Sequence, residues 1–183
     1  MDHNMIQDLA EVLISEEAIS HRIRELGAEI SRDYLGKELV LAGVLRGASF
    51  FMADLARAIS IPLIIDFISI SSYGPATKAS GVVGIRKDLD ESIGDRDLLV
   101  VEDIVDTGLT LSYLLKIFRA RQPSSLQICT LLDRKVRRII DLPIAYRGFE
   151  IPEKFIVGYG LDYHQRYRNL PCIGVLKPEM MTG

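Results

Sequence analysis

Short apolar runs alternate along this chain with stretches whose apolar residues return every three or four positions, and no other feature limits the possible folds as tightly. Ile19, Ile23, Leu26 and Ile30 lie on one face of a first predicted helix, with Ser15 placed to cap it and Glu16 and Glu17 at its positively polarised start. Residues 39–45 form an apolar run that ends at Arg46-Gly47, after which Phe51, Leu55 and Ile59 resume helical spacing. The isoleucine-rich run 63–70 follows Pro62, residues 82–85 make a shorter β-type run, and 97–101 form a third core strand. Leu111, Leu114, Leu115 and Phe118 mark the inner face of another helix, and 125–132 and 155–159 supply two more strands. Strand and helix taking turns predicts an α/β fold, a mostly parallel central sheet flanked by helices, with ligands at the carboxyl ends of the strands. No internal repeat or linker interrupts the pattern, so residues 1–183 read as a single domain.

A chain of 183 residues can hide roughly 70% of its unfolded surface, enough for one core. Its 48% hydrophobic and 26% charged residues place it among ordinary globular proteins. The longest apolar stretches, such as 61–65 and 98–101, fall far short of the ~20 residues a membrane-spanning helix needs. Met1 to Gln7 lacks the basic start and apolar run of a secretory signal, so a cytoplasmic protein with no membrane partner is expected. Cys129 and Cys172 sit in strand-like surroundings and read as reduced, structural thiols. Without a Cys-x-x-Cys pair, and with His3, His21 and His164 scattered, local spacing builds neither a zinc site nor a thiol-redox site. A net charge of −3 argues against wrapping nucleic acid, so any polyanion is bound locally.

The segment from Leu98 to Thr110 carries the most chemistry, because a buried strand runs into Glu102, Asp103 and Asp106 and then opens a helix. Thr107, Gly108, Leu109 and Thr110 combine hydroxyl donors with a glycine that lets backbone N–H groups approach an anion at the helix's positive end, which suits a phosphate. Three carboxylates beside that cradle would repel a bare phosphate. They call for neutral hydroxyls, a cation, or positive charge developing in a transition state, and ribose, magnesium and an oxocarbenium ion satisfy all three. The plainer reading is a solvated acidic turn that caps a helix.

Val101-Glu102-Asp103-Ile104-Val105-Asp106-Thr107-Gly108 resembles the signature with which hypoxanthine-guanine phosphoribosyltransferases bind phosphoribosyl pyrophosphate (PRPP). Neither a Walker A sequence nor a Gly-x-Gly-x-x-Gly fingerprint occurs to favour another phosphate-binding family. Four further segments follow in that family's order between about Leu39 and Leu170. Gly43-Val44-Leu45-Arg46-Gly47-Ala48 is similar to its pyrophosphate-binding turn, which by correspondence places a cis peptide at Leu45-Arg46 and pyrophosphate contacts at Leu45, Arg46 and Gly47. The insertion at 71–81 is similar to its mobile loop, whose Ser-Tyr pair is Ser72-Tyr73 and which closes over bound PRPP. Leu132-Asp133-Arg134-Lys135 stands where bacterial relatives resemble Leu-Asp-Lys-Pro and use the lysine on the six-oxo group of the purine. Arg134 takes that place by alignment, with Lys135 as the other donor in reach. Finally, the stretch from Phe149 to Arg168 matches the family's base-binding hood, which the resemblance places mainly at about 149–183. There Phe155 stacks on the purine, Ile156 reads its edge through the backbone, Asp162 supports a magnesium, and Arg168 contacts pyrophosphate. Core packing, a loop cap and a surface cation are the plainer roles for these side chains.

The resemblance implies a type I phosphoribosyltransferase fold with a small hood. It also implies a purine-salvage enzyme that moves the 5-phosphoribosyl group from PRPP to hypoxanthine and guanine, releasing pyrophosphate and a nucleoside monophosphate. Magnesium would be held by Glu102, Asp103 and Asp162, Asp106 would take the purine N7 proton, and the assembly would be a homodimer or homotetramer. Two other functions fit the same residues. One takes xanthine or another 6-oxopurine as acceptor; the other is a PRPP-sensing regulator that binds nucleic acid through residues 134–138. The intact acid trio and the negative net charge argue against the regulator.

Overall fold

The structure is a computed structural model and describes residues 5–72 and 83–181. Strand β1 (Leu9–Ile14) leads into helix α1 (Glu16–Asp33), and Ser15 caps that helix by accepting from the Ala18 N–H at 3.2 Å. There follow β2 (Leu39–Leu45), α2 (Ser49–Ala58), β3 (Leu63–Ser72), β4 (Val83–Lys87), β5 (Asp97–Val105), α3 (Leu109–Arg119), β6 (Ser125–Asp133), β7 (Ile144–Glu150), β8 (Ile156–Val157) and β9 (Ile173–Leu176). Six strands form one sheet in the order β4-β3-β2-β5-β6-β7, parallel throughout except for β4, which pairs antiparallel with β3. A smaller antiparallel sheet, β1-β9-β8, stands apart as the hood.

The unbroken apolar runs of β2, β5 and β6 follow from burial on both faces. Leu39, Leu41, Leu99, Val101, Cys129 and Leu131 point to one side, where Ile19, Ile23, Leu26 and Ile30 of α1 and Phe51 and Leu55 of α2 cover them. Val40, Ala42, Leu98, Val100 and Ile128 point to the other, against Leu111, Leu114, Leu115 and Phe118 of α3. A third cluster in the hood gathers Leu9, Val157, Tyr167, Leu170, Cys172 and Leu176. Both cysteines are buried free thiols, and burial pushes the Cys129 thiol up from its ordinary value. Among the described residues, no helix is long and apolar enough to cross a membrane.

The sequence expectations differ from this fold in a few places. β5 continues four residues past 101, because Glu102 and Ile104 pair with Thr130 and Leu132 of β6 although their carboxylate-rich surroundings read as a loop. β8 is shorter than 155–159, since Gly158 and Gly160 turn the chain with φ of 102° and 99°. β1 and β7 carry no clear period. Register shifts interrupt β1, and Arg147-Gly148 breaks the apolar run of β7 where Gly148 lets the backbone approach β6.

Candidate active site

At the carboxyl ends of β2, β5 and β6, beneath the hood, lies a cleft of about 500 Å³. Its lining includes Leu45, Gly47, Glu102, Asp103, Asp106, Thr110, Arg134, Phe155, Ile156, Asp162 and Arg168. A smaller niche of about 110 Å³ adjoins it, lined by Glu102, Asp106, Thr107, Gly108 and Thr110 among others. Most residues singled out from sequence therefore converge. Arg46 and Leu109 line neither space: Leu109 is 47% exposed at the start of α3, and Arg46 reaches the hood instead. Ser72 ends β3, whereas Tyr73 and most of the expected mobile loop fall outside the described residues.

The niche owes its shape to a glycine and to a second segment of chain beneath it. Gly108 caps α3 with φ of 81°, and a Cβ there would sit 2.7 Å from the Ile140 carbonyl oxygen, so both conformation and space demand glycine. The Thr107 carbonyl accepts from the N–H groups of Ile139 and Ile140 at 3.0 and 3.1 Å. The Arg138 guanidinium donates to the Asp106 carbonyl at 3.0 Å and pairs with the fully buried Asp133. Asp133 also faces Arg147 Nε at 2.6 Å, an ion pair without hydrogen-bond alignment. What read as a basic loop at 134–138 is in large part a support for the acidic one.

Of the carboxyls in the cleft, Glu102 is buried and Asp103 half-buried. Burial, with the neighbouring Asp103 charge adding to it, raises the Glu102 carboxyl well above the ordinary carboxylate range. Burial likewise pushes Asp103 up to about 6, against the pull of the Ile104 N–H at 2.8 Å and the Arg168 charge, while Asp162 adds to the rise. With a folded value above the ordinary 3.8, the folded chain holds an extra proton between pH 3.8 and about 6. The stability of the unliganded protein therefore falls as the pH rises through that window.

Three segments meet at Asp103. The turn after β2 contains a cis peptide at Leu45-Arg46, and a Cβ on Gly47 would stand 1.6 Å from Asp103 Oδ2. A Cβ on Gly160 would in turn stand 2.0 Å from the Gly47 carbonyl oxygen. Beside this contact, Arg168 donates to the Gly160 carbonyl at 2.6 Å and pairs with Asp162 Oδ1 at 2.6 Å. Asp162 Oδ2 accepts the Gln165 N–H at 2.9 Å. Gln165 Oε1 accepts from Arg46 Nη1 at 3.0 Å and from Arg168 Nη2 at 3.3 Å.

At the other end of the cleft Phe155 is 47% exposed and meets Tyr163 with ring planes near perpendicular and centroids 5.6 Å apart, while Ile156 is buried in β8. Arg134 is buried, donates to the Lys154 carbonyl at 2.8 Å and lies 3.5 Å from Asp106 Oδ2, which Arg137 approaches to 3.4 Å. Its Nε has no partner among the described residues. Lys135 instead pairs with Glu150 at 2.7 Å and does not line the cleft. Asp106 Oδ1 is buried and likewise without a partner. Sequence reasoning gave Gln165 and Gly160 no role, since neither carried a signal, and read Arg138 only as part of a basic run and of the alternative nucleic-acid patch at 134–138.

The family described as the phosphoribosyl transferase domain matches residues 12–164. The hypoxanthine-guanine phosphoribosyltransferase of Bacillus subtilis is 53% identical over 174 residues, spanning 95% of this chain and 97% of its own. The enzyme of the same name from Staphylococcus aureus is 49% identical over 179 residues, 98% of this chain and all (100%) of its own. A crystal structure of a hypoxanthine phosphoribosyltransferase from Staphylococcus aureus superposes with a TM-score of 0.95 at 48% identity, covering 100% of both chains.

Proposed function

This chain belongs to the phosphoribosyl transferase family, among its bacterial hypoxanthine-guanine phosphoribosyltransferases, and we propose how its own residues carry out that reaction of purine salvage. The whole chain works as one catalytic domain that transfers the 5-phosphoribosyl group of PRPP to hypoxanthine or guanine, giving IMP or GMP and pyrophosphate. The observation that carries this reading is the buried Glu102 beside the half-buried Asp103, set between an anion niche at the start of α3 and the Arg168 guanidinium, to which Arg46 is joined through Gln165.

Thr107, Gly108, Leu109 and Thr110 offer the 5-phosphate backbone and hydroxyl donors at the positive end of α3. Glu102 and Asp103 face the ribose hydroxyls, and Leu45, Gly47, Arg46 and Arg168 face the pyrophosphate. As the bond from C1 to pyrophosphate lengthens, positive charge spreads over the ribose, and the two carboxylates stabilise it more than they stabilise the ground state. Asp106 keeps Oδ2 against Arg134 and Arg137, which leaves the unpartnered Oδ1 to take the N7 proton as N9 attacks. Phe155, half-exposed in the cleft, stacks on the purine and Ile156 reads its edge through the backbone. Arg134, with a spare buried donor, reaches the six-oxo group in preference to Lys135, whose ammonium is engaged by Glu150.

Magnesium suits these residues. Glu102 and Asp103 are carboxyls that burial, with neighbouring negative charge, makes reluctant to ionise, and a nearby cation opposes that. Among the described residues no three acidic, histidine or cysteine side chains converge on one point, as befits an ion that takes one or two carboxylates and completes its shell with substrate oxygens and water. Glu102, Asp103 and Asp162 are the residues that would hold magnesium, no more than two of them on one ion, and when bound it would neutralise the pyrophosphate. Binding of magnesium with PRPP is then expected to release protons at pH 6, and fewer at pH 8. Calorimetry in buffers of different ionisation enthalpy measures this, and equal release at both values, or none at pH 6, would contradict it. A cytoplasmic homodimer or homotetramer is the assembly we expect.

The direct test incubates the pure protein with PRPP, magnesium and each of hypoxanthine, guanine and xanthine, and looks for the matching nucleoside monophosphate. IMP and GMP are expected, and absence of both overturns the reading. In the same assay Arg134→Met is expected to raise the KM for hypoxanthine about 10- to 100-fold, the effect of losing a charged buried donor, with little change for PRPP.

A further inference from the structure

Gln165 sits on the hood turn between Asp162 and Arg168, where the roles above leave it unused. Guanidinium groups only donate hydrogen bonds, so the side-chain atom that faces both Arg46 at 3.0 Å and Arg168 at 3.3 Å must be the amide oxygen. The turn that delivers it is specialised. His164, Gln165 and Tyr167 have φ of 50°, 65° and 74°, a region that costs non-glycine residues conformational energy. Paired backbone bonds between Tyr163 and Arg166 at 3.2 and 3.0 Å hold the turn, and Asp162 holds both the Gln165 N–H and the Arg168 guanidinium. Two elements far apart in sequence, the turn after β2 and the hood, are thus tied through one oxygen atom.

We infer that Gln165 is a positioning residue for pyrophosphate. It gathers Arg46 and Arg168 onto a shared acceptor so that both guanidiniums are already aimed together when the anion arrives. Unsupported, two like charges at this spacing would repel and their long side chains would wander. A neutral oxygen counters that without cancelling either charge, and arrival of pyrophosphate exchanges a weak acceptor for an ionic one. The inference rests on the reading of Arg46 and Arg168 as the pyrophosphate-binding cations.

The test uses steady-state kinetics in both directions on the full chain. Gln165→Leu removes the acceptor from an exposed position at similar side-chain length. It is expected to raise the KM for PRPP, and for pyrophosphate in the reverse reaction, by about 3- to 10-fold, the worth of one or two such hydrogen bonds. The KM values for hypoxanthine and IMP should stay within about twofold of the parent. Gln165→Asn, which restores a neutral acceptor oxygen one methylene shorter, should recover part of both raised constants, which a merely structural role for the turn would not predict. Unchanged constants in the leucine variant, or equal loss in the leucine and asparagine variants, would overturn the inference. Arg168→Met run in parallel separates the two failures. If it leaves the pyrophosphate KM unchanged, the pyrophosphate assignment falls and the inference with it. If it raises that KM while Gln165→Leu does not, the role of Gln165 alone is lost.

Discussion

Asp106→Asn is expected to bind PRPP almost as the parent does and to turn over about 10² to 10⁴ times more slowly, the range for losing a general acid-base group. Asparagine keeps the size of the side chain and, through its amide oxygen, an acceptor for Arg134 and Arg137, which approach Oδ2 at 3.5 and 3.4 Å. What it loses is basicity at the other oxygen, the buried and unpartnered Oδ1. The split between kcat and PRPP affinity is therefore the informative quantity. Single-turnover rates with hypoxanthine, set beside PRPP affinity by calorimetry, would show it; near-normal turnover would remove Asp106 from the proton transfer.

Gly47→Ala is expected to be nearly as damaging by a different route. The new Cβ would stand 1.6 Å from Asp103 Oδ2, far inside any allowed contact, so either that carboxyl swings away or the turn after β2 opens. Asp103 is anchored by the Ile104 N–H at 2.8 Å, and the Gly47 carbonyl is pressed against Gly160, so neither side yields freely. Misplacing a positioned group by an ångström can cost about 100-fold, and a drop of that order in affinity for PRPP with magnesium is expected. Calorimetry measures it, with circular dichroism to establish that the fold survives. An unaltered affinity would mean that Asp103 takes no part in holding PRPP.

Much of the scaffold was legible because α1, α2 and α3 bury the face their apolar period marks, and β2, β5 and β6 are unbroken apolar runs covered on both sides; β3 fits less well, with Ile65 exposed and Asp66 buried. The acidic end of β5 was harder. Glu102 and Asp103 lie where a strand would ordinarily have stopped, and their pairing with β6 continues because the ends of these strands form the cleft. β1 and β7 were not legible, since a bulged strand and an edge strand interrupted by Arg147-Gly148 show no regular alternation. The choice between Arg134 and Lys135 could not be read from adjacent letters. It depends on which way each side chain leaves the end of β6, toward the Lys154 carbonyl or toward Glu150. Gln165 left no trace at all, because its position follows from left-handed backbone at 164, 165 and 167 that no local residue preference announces.

The support beneath the niche restricts how such a protein can diverge. Arg134 lines the cleft where we propose it meets the base, and only a few residues later Arg138, Ile139 and Ile140 grip the backbone of Asp106 and Thr107. An insertion or deletion anywhere in that short span would shift the register of the grip whenever it altered the base contact. Lineages that change their choice of purine should therefore do so by exchanging side chains here at constant length, and length variation should collect in other loops.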